Sequence, residues 1–352
     1  MTWGMLLREG QQKLMPAFPD ESAGEVGHEA RFLLSWASGH STAWLLARMN
    51  DPMTADVHAV ADRFREALSR RVQREPVAYV IGQAGFCGHI FEVNPSVLIP
   101  RPDTELLVET VSGFLYNRDS VLNKQARSPN PDNSAGVFKE RERSCNTGNL
   151  AGTSHSSRIL EIGTGSGCIS CSLALQHENA GIIAVDLSAE ALCVAQSNAD
   201  RLGVSGRIRF LQADILSASS SSFLTSSLVE KDHPTDATPD GDARYDVLVS
   251  NPPYIPSDDL SGLMPDVLRF EPHVALDGGA DGLLFYRRLL QISKDLLKSG
   301  GLLAVEIGHN QGISVSRLFL EWQYSPTVYS DLGGNPRVVA GIFRGPYPAV
   351  EK

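Results

Sequence analysis

Apolar residues recur at intervals of three and four positions through the first 75 residues, a spacing that predicts amphipathic helices. The repeat is clearest from Val57 to Val72, where Arg and Glu side chains fill the opposite face. A second apolar stretch, from Ala30 to Met49, predicts one or two shorter helices. We therefore predict a small all-α domain over residues 1–79. Because it contains no catalytic cluster, we assign it to recognition of a protein substrate.

The pattern changes after residue 80. Apolar and other residues alternate between Gly85 and Pro100, and Asn94-Pro95 signals a turn. We predict that residues 80–105 contain a β-hairpin, which links the helical domain to a larger domain over residues 106–347.

Short apolar runs alternate with helical segments through this larger domain, an order that predicts an α/β fold with an open parallel sheet and helices on both faces. The predicted strands are Arg158–Ile162, Ile182–Val185, Ile208–Leu211, Asp246–Ser250 and Leu302–Ile307. The predicted helices lie near Cys168–Gln176, Ala189–Leu202 and Leu283–Leu297. A last pair of strands, Thr327–Tyr329 and Val338–Phe343, is predicted to close the sheet as an antiparallel hairpin. Two polar stretches, residues 117–157 and 217–243, are interpreted as flexible insertions.

Charge and cysteine usage narrow the class of protein. The 352 residues include 31 Lys and Arg against 41 Asp and Glu, so the formal net charge is −10 and direct nucleic acid binding is not expected. Cys168 and Cys171 form a single C-x-x-C without a second pair at zinc-site spacing, so we interpret them as core residues and expect no metal. We find no secretory signal and no apolar run long enough to span a membrane, so a cytoplasmic protein without membrane contact is expected.

A glycine-rich loop follows the first predicted strand of the sheet. Its sequence is Glu161-Ile162-Gly163-Thr164-Gly165-Ser166-Gly167. Glycines at the start of a helix let a ligand lie against bare backbone. The spacing G-x-G-x-G differs from the dinucleotide fingerprint G-x-G-x-x-G, which argues against a nicotinamide or flavin cofactor.

Two acidic residues at the ends of the next strands complete a predicted nucleoside site. Asp186 ends the strand after the glycine loop, where its carboxylate can accept hydrogen bonds from both ribose hydroxyls. The alternative for Asp186 is a helix N-cap. Asp214 ends the third strand with Ile215 beside it, and we predict that these two residues stand over the adenine.

The sequence Asn251-Pro252-Pro253-Tyr254 follows the fourth strand, at the edge where doubly wound sheets bind ligands. Proline has no backbone donor, so the loop offers only acceptors, the Asn251 side-chain oxygen and the Pro252 carbonyl. These would hold the two N–H groups of a planar amino group in line with a methyl donor, with Tyr254 as an aromatic wall. Asn251, Pro252 and Tyr254 are the predicted catalytic residues, and Asn251 to Tyr254 the predicted substrate site.

The chain resembles the release factor glutamine methyltransferase family of class I methyltransferases. The blocks that carry this resemblance are Tyr79–Gly82, Leu98–Glu105, the glycine loop, Asn251–Ile255, Phe270–Pro272, Asp281–Leu283 and Glu306–Gly308. The resemblance implies a Rossmann-like class I methyltransferase sheet, a small all-α N-terminal domain and a linking β-hairpin. It also implies that Arg101, Pro102 and Thr104 line the cofactor pocket or its lid.

By the same resemblance, the glycine loop and Asp186 would bind S-adenosyl-L-methionine, and Asn251 to Tyr254 would hold the substrate glutamine. From their positions at the strand ends we also assign Asp214, Ile215 and Asn251 to the cofactor site. The enzyme would methylate the side-chain nitrogen (N5) of a glutamine in a peptide chain release factor, in support of translation termination, and would be a monomer. Two other functions stay open, a DNA adenine-N6 methyltransferase and a non-catalytic S-adenosylmethionine-binding module. The acidic composition counts against the first, and the retained Asn251 to Tyr254 motif against the second.

Overall fold

A computed structural model describes residues 1–53, 57–127, 156–217 and 244–345, except the side chains of residues 57 and 119–127. Most of the first 81 residues are helical. The helices are α1 (Trp3–Leu14), α2 (Ala23–Ser38), α3 (Thr42–Ala47), α4 (Val57–Val72) and α5 (Val77–Ile81). Phe64 and Leu68 of α4 are fully buried in the core of this bundle, as the helical spacing predicts.

The N-terminal helices are tied to the larger part of the chain by a buried arginine. Arg71 of α4 forms ion pairs with Glu29 and, across the boundary, with Asp266, each at 2.7 Å. Its guanidinium also lies over the Phe18 ring, and Arg74 forms a second ion pair with Asp266. A buried charge is tolerated because it is paired on both sides. The helical bundle therefore contacts the segment that follows the Asn251 to Tyr254 motif.

The hairpin predicted within residues 80–105 is confirmed, but its turn does not lie at Asn94-Pro95. Strands β1 (Gln83–Phe86) and β2 (His89–Glu92) pair antiparallel, so the turn falls on Cys87 and Gly88. Both turn residues have positive φ, 48° and 76°, as a tight two-residue hairpin turn requires. Asn94 instead begins a local turn, in which its side-chain oxygen accepts a hydrogen bond from the Ser96 N–H.

Seven strands form the central sheet in the order β5-β4-β3-β6-β7-β9-β8. They are β3 (Ser157–Ile162), β4 (Ala180–Asp186), β5 (Ile208–Gln212), β6 (Tyr245–Ser250), β7 (Leu297–Glu306), β8 (Tyr324–Ser330) and β9 (Pro336–Phe343). Strands β3 to β7 are parallel, whereas β9 is antiparallel to both β7 and β8. The predicted parallel sheet with an antiparallel last pair is confirmed. The strand order reverses between β3 and β6, which is where ligands bind in such sheets.

Helices cover both faces of the sheet. They are α6 (Glu105–Arg127), α7 (Cys168–Gln176), α8 (Ala189–Arg201), α9 (Pro265–Phe270), α10 (Leu284–Leu296) and α11 (Gly312–Glu321). Neighbouring residues of a strand point to opposite faces, so Ile159 packs with α6 and α7, whereas Leu160 packs with α10 and α11. Cys168 and Cys171 are buried in the first of these two cores.

The first polar insertion was predicted to begin too early. Helix α6 continues to Arg127, through the first part of the predicted insertion. No Gly or Pro lies between Gly113 and Pro129, and polar residues such as Gln125 and Arg127 are good helix formers, so nothing ends the helix there. The rest of this insertion, residues 128–155, and nearly all of the second, residues 218–243, lie outside the described residues.

No helix among the described residues is long and apolar enough to cross a membrane.

Candidate active site

The glycine loop forms a tight turn between β3 and α7. Gly163, Gly165 and Gly167 all have positive φ, between 53° and 76°, a backbone region that glycine adopts without strain. The N–H groups of Gly163 and Thr164 donate to the Val185 carbonyl at 2.8 and 3.1 Å, which ties the loop to the end of β4. A Cβ atom on Gly165 would meet no atom within 4 Å, so the backbone at this position borders open space. The loop therefore forms the floor of a cavity.

Gly167 has a different role from its neighbours. It does not line the cavity that Gly163, Thr164, Gly165 and Ser166 line. A Cβ atom there would lie 3.0 Å from the Ala195 Cβ of helix α8. The third glycine therefore allows close packing of α7 against α8 rather than access to a ligand.

The fully buried carboxyl group of Glu161 contacts the glycine loop. Oε2 of Glu161 accepts hydrogen bonds from the hydroxyls of Thr164 and Ser170, which lie in the loop and in α7. Burial raises the pKa of Glu161 to about 8. No role for Glu161 was predicted from the sequence, although this residue opens the glycine motif. Its side chain fixes the cavity floor.

Asp186 lies on the wall of the cavity at the end of β4. Its Oδ2 accepts a hydrogen bond from the Gly165 N–H at 2.8 Å, and its Oδ1 accepts from the Ser188 N–H at 3.0 Å. Each carboxylate oxygen keeps a further lone pair for a hydroxyl donor. The N-cap alternative is wrong, because Ser188 caps α8 by accepting the Ala191 N–H.

The far end of the cavity is apolar. Asp214 and Ile215 line it, as do Leu187 and Leu216, two large side chains that are exposed in this structure. The Asp214 carboxylate accepts the Leu216 N–H at 2.8 Å, which fixes the turn after β5. Neither Leu187 nor Leu216 was predicted from the sequence, although Leu187 directly follows Asp186 and Leu216 lies two positions after Asp214. Together these residues form a slot that suits a flat, weakly polar ring.

The Asn251 to Tyr254 motif leaves β6 beside the glycine loop. A Cβ atom on Gly163 would lie 3.8 Å from the Asn251 carbonyl oxygen, so the two loops are adjacent. The Asn251 side chain donates through Nδ2 to Thr104 Oγ1 at 3.2 Å. Asn251, Pro252 and Pro253 line the same cavity as Asp186. The structure thus brings the predicted acceptors and the predicted nucleoside site into one cavity.

Tyr254 does not line that cavity. Its backbone oxygen accepts a hydrogen bond from Gln311 Nε2 at 2.9 Å. Burial raises the pKa of its phenol to about 12, and the charges of Glu306 and Arg337 act on it as well. The Tyr254 side chain is therefore not among the residues that line the cavity, where the sequence predicts an aromatic wall.

Gln311 forms hydrogen bonds with the segment that follows the Asn251 to Tyr254 motif. Its role was not predicted from the sequence. Its Nε2 donates to the carbonyls of Tyr254 and Gly282 at 2.9 and 3.2 Å, and its Oε1 accepts from the Gly308 N–H and the Tyr286 hydroxyl at 3.0 and 3.2 Å. Space is also tight here, since a Cβ atom on Gly282 would lie 2.4 Å from the Tyr254 oxygen. A buried amide with all four partners fixes the loop geometry.

The segment from Ser96 to Thr104 forms a second wall. Arg101 and Thr104 line the cavity, whereas Pro102 does not. Arg101 forms an ion pair with Glu271, whose neighbour Pro272 also lines the cavity. Arg101 thus connects this wall to Glu271, and Thr104 connects it to Asn251.

Among the described residues no group of His, Cys, Asp or Glu side chains is arranged to hold a metal ion. Burial raises the pKa of the Cys168 thiol well above its ordinary value and that of Cys171 to about 12. These two thiols stay protonated at neutral pH, which is the behaviour of core residues.

Two family descriptions match the chain. Residues 6–82 match the PrmC N-terminal domain, and residues 153–309 match a methyltransferase domain. The first covers the helical bundle, and the second covers the glycine loop, Asp186 and the Asn251 to Tyr254 motif.

Proteins with similar sequences are named as methyltransferases. The chain is 34% identical over 314 residues to a release factor glutamine methyltransferase of Geobacter sulfurreducens, covering 89% of this chain and 88% of that protein. It is 38% identical over 290 residues to a protein of the same name from Moorella thermoacetica, covering 82% and 81%. It is 32% identical over 314 residues to a bifunctional methyltransferase of Rickettsia prowazekii, covering 89% of this chain but only 52% of that longer protein.

Proposed function

The chain belongs to the release factor glutamine methyltransferase family, and from this membership we propose that it methylates the side-chain nitrogen (N5) of a glutamine in a peptide chain release factor. One observation carries the proposal. The acceptor loop of Asn251 and Pro252 lines the same cavity as the glycine loop and Asp186. A methyl donor and a side-chain amide can therefore meet inside one site.

The cavity fits S-adenosyl-L-methionine, the cofactor of class I methyltransferases. Open space above the Gly165 backbone leaves room for the ligand, and the Asp186 carboxylate can accept ribose hydroxyls. Leu187, Ile215 and Leu216 form an apolar slot for the adenine, with Asp214 at its edge. The bound cofactor supplies a methyl group activated by its sulfonium charge.

The acceptor loop positions the glutamine amide. The Asn251 Nδ2 is engaged with Thr104, so the Asn251 oxygen and the Pro252 carbonyl are the groups left to accept the two amide N–H bonds. They hold the nitrogen in line with the methyl group and stabilise the positive charge that develops on it. The methylated amide cation is a strong acid and loses its proton to water, so the site needs no general base.

DNA adenine methylation is the competing function, because adenine offers a similar amino group. The net charge of −10 is unfavourable for a duplex bound through its phosphates. A non-catalytic binding module would have no use for the acceptor loop.

Incubation of the full-length protein with labelled S-adenosyl-L-methionine tests the proposal directly. We expect the label in a release factor, on one glutamine located by peptide mass analysis, and none in duplex DNA. Label in adenine, with the release factor unlabelled, would establish the competing function instead.

We also propose that the helical bundle recognises the release factor. Phe32 and Trp36 of α2 and Ile90 of β2 line a groove where the bundle meets the hairpin, and all three are exposed, by 42%, 39% and 50%. Exposed aromatic side chains of this kind often anchor protein partners. A single glutamine side chain in the cavity buries too little surface for a specific complex, so remote contacts are needed.

Trp36→Ala should lower kcat/KM for intact release factor by about tenfold or more, because a buried interface tryptophan typically contributes over 1 kcal/mol. Its affinity for S-adenosyl-L-methionine and its turnover of a short glutamine peptide should stay as in wild type. Leu320→Ala is the control, since this leucine is also exposed, by 60%, but lies on α11. Equal kcat/KM for the two variants on intact release factor would remove the groove from substrate recognition.

A further inference from the structure

Glu306 is a buried carboxyl group beside the acceptor loop that the mechanism above does not use. It ends β7 and is only 3% exposed. Ser250 pairs with Val305 across the parallel strands β6 and β7, so Asn251 and Glu306 occupy the next position on each strand. Burying a carboxylate is costly unless neighbouring groups stabilise its charge. We therefore expect the carboxyl group of Glu306, buried next to Asn251, to have a function in the site.

Thr104 links the carboxyl group to the acceptor loop. Its Oγ1 accepts the hydrogen bond from Asn251 Nδ2 at 3.2 Å. The polar side chains of Thr104 and Asn251 both lower the pKa of Glu306, so both lie beside its carboxyl group. One carboxylate oxygen, Oε2, accepts no hydrogen bond from any described residue. Among the described residues Glu306 forms no ion pair, and its charged form is favoured by Thr104, Asn251 and the charge of Arg337.

We propose that Glu306 is a positioning residue which, with Thr104, holds the Asn251 amide so that its nitrogen points inward and its oxygen faces the substrate. An ionised carboxylate only accepts hydrogen bonds, so the Thr104 hydroxyl has to donate to it. The Thr104 oxygen is then free to accept from Asn251 Nδ2. A flipped Asn251 would present its N–H groups to the N–H groups of the target amide and would repel it. This inference rests on the proposed function, because the direction of the amide matters only for a substrate with N–H donors.

The arrangement depends on the charge of Glu306. Burial raises its pKa to about 7, and the nearby Asp103 acts in the same direction, whereas Thr104, Arg337 and Asn251 oppose them. The phenols of Tyr254 and Tyr286 also face it, and burial raises their pKa values, so both stay neutral. A protonated carboxyl group can donate to Thr104 and displace the Asn251 N–H. Turnover should therefore rise as the pH increases through about 7.

The test compares wild type with Thr104→Val, Thr104→Ser and Glu306→Gln. For each protein we would measure kcat and KM for release factor, the dependence of kcat on pH, and cofactor affinity by calorimetry. Valine keeps the shape of threonine but removes the hydroxyl, and we expect a drop in kcat of about tenfold to 100-fold, the scale of a misplaced reacting group. Serine keeps the hydroxyl and should restore most of the rate. Glu306→Gln should lose the rise in kcat near pH 7. Cofactor affinity should be similar in all four proteins, and Glu321→Gln, an exposed residue on α11, should behave as wild type.

Several outcomes would overturn the inference while wild-type activity keeps the proposed function intact. Equal rates for Thr104→Val and Thr104→Ser would show that the hydroxyl does not matter. An unchanged pH profile in Glu306→Gln would show that the charge of Glu306 does not act on turnover. A loss confined to cofactor affinity would place both residues in the cofactor site instead. Wild type that fails to label any release factor would count against the proposed function itself.

Discussion

Asn251→Ala is expected to abolish methyl transfer, with a fall in kcat of about 1,000-fold or more, because removing one group that stabilises transition-state charge typically costs 100-fold to 1,000-fold. The variant loses the acceptor for the amide N–H and also the fixed direction of that acceptor, which Thr104 provides. The affinity for S-adenosyl-L-methionine should stay close to wild type, since the glycine loop and Asp186 are untouched. Calorimetry and a single-turnover assay measure the two quantities separately.

Two further variants test the role of the Asn251 side chain more specifically. Asn251→Asp keeps a side-chain acceptor but loses the donor to Thr104, so its rate should lie between those of alanine and wild type. Asn179→Ala serves as the matched control, because this exposed asparagine precedes the amino end of β4, opposite the ligand-binding edge of the sheet. A parallel loss of cofactor affinity and activity in Asn251→Ala would contradict the role we assign to the side chain.

The fold could be predicted from the sequence because its signals are local. Each central strand is an apolar run, such as Ile182 to Val185, and glycines mark the turn from β3 to α7. The prediction failed where the local sequence is compatible with two different structures. Polar residues after Asn117 suit both a loop and an exposed helix, and the structure has the helix. The hairpin turn was missed because Cys87 adopts a positive φ that its residue type does not favour.

The site could be predicted only in part. The glycine loop, Asp186 and Asn251 each follow a strand, so their meeting at one edge follows from the parallel sheet. Thr104 lies far from Glu306 and Gln311 in the sequence, and its contact with Asn251 depends on the packing of the segment before α6. The position of Glu306 beside Asn251 depends on the register of β6 against β7. The spacing of residues along the sequence does not predict these contacts. The hydrogen bond from Gln311 to the Tyr254 backbone oxygen is another contact that the sequence does not predict.

Asp186→Ala is expected to weaken S-adenosyl-L-methionine binding by about 1.5 to 3 kcal/mol, the contribution of hydrogen bonds to a charged group, which corresponds to roughly tenfold to 150-fold in Kd. The structure gives two reasons. The variant loses the acceptor for the ribose hydroxyls, and it also releases the Gly165 N–H that Asp186 holds at 2.8 Å. Asp186→Asn keeps one acceptor oxygen and should lose less affinity.

Adenosine separates the ribose contact from simple attraction between charges, because adenosine is neutral whereas S-adenosyl-L-methionine carries a positive sulfonium group. If Asp186 accepts the ribose hydroxyls, calorimetry should show that Asp186→Ala weakens the binding of both ligands by a similar factor. If it acts only through its charge, adenosine binding should be unchanged. Asp200→Ala, on the exposed last turn of α8, is the matched control and should leave both affinities at the wild-type level. Unchanged affinity of Asp186→Ala for both ligands would remove Asp186 from the cofactor site altogether.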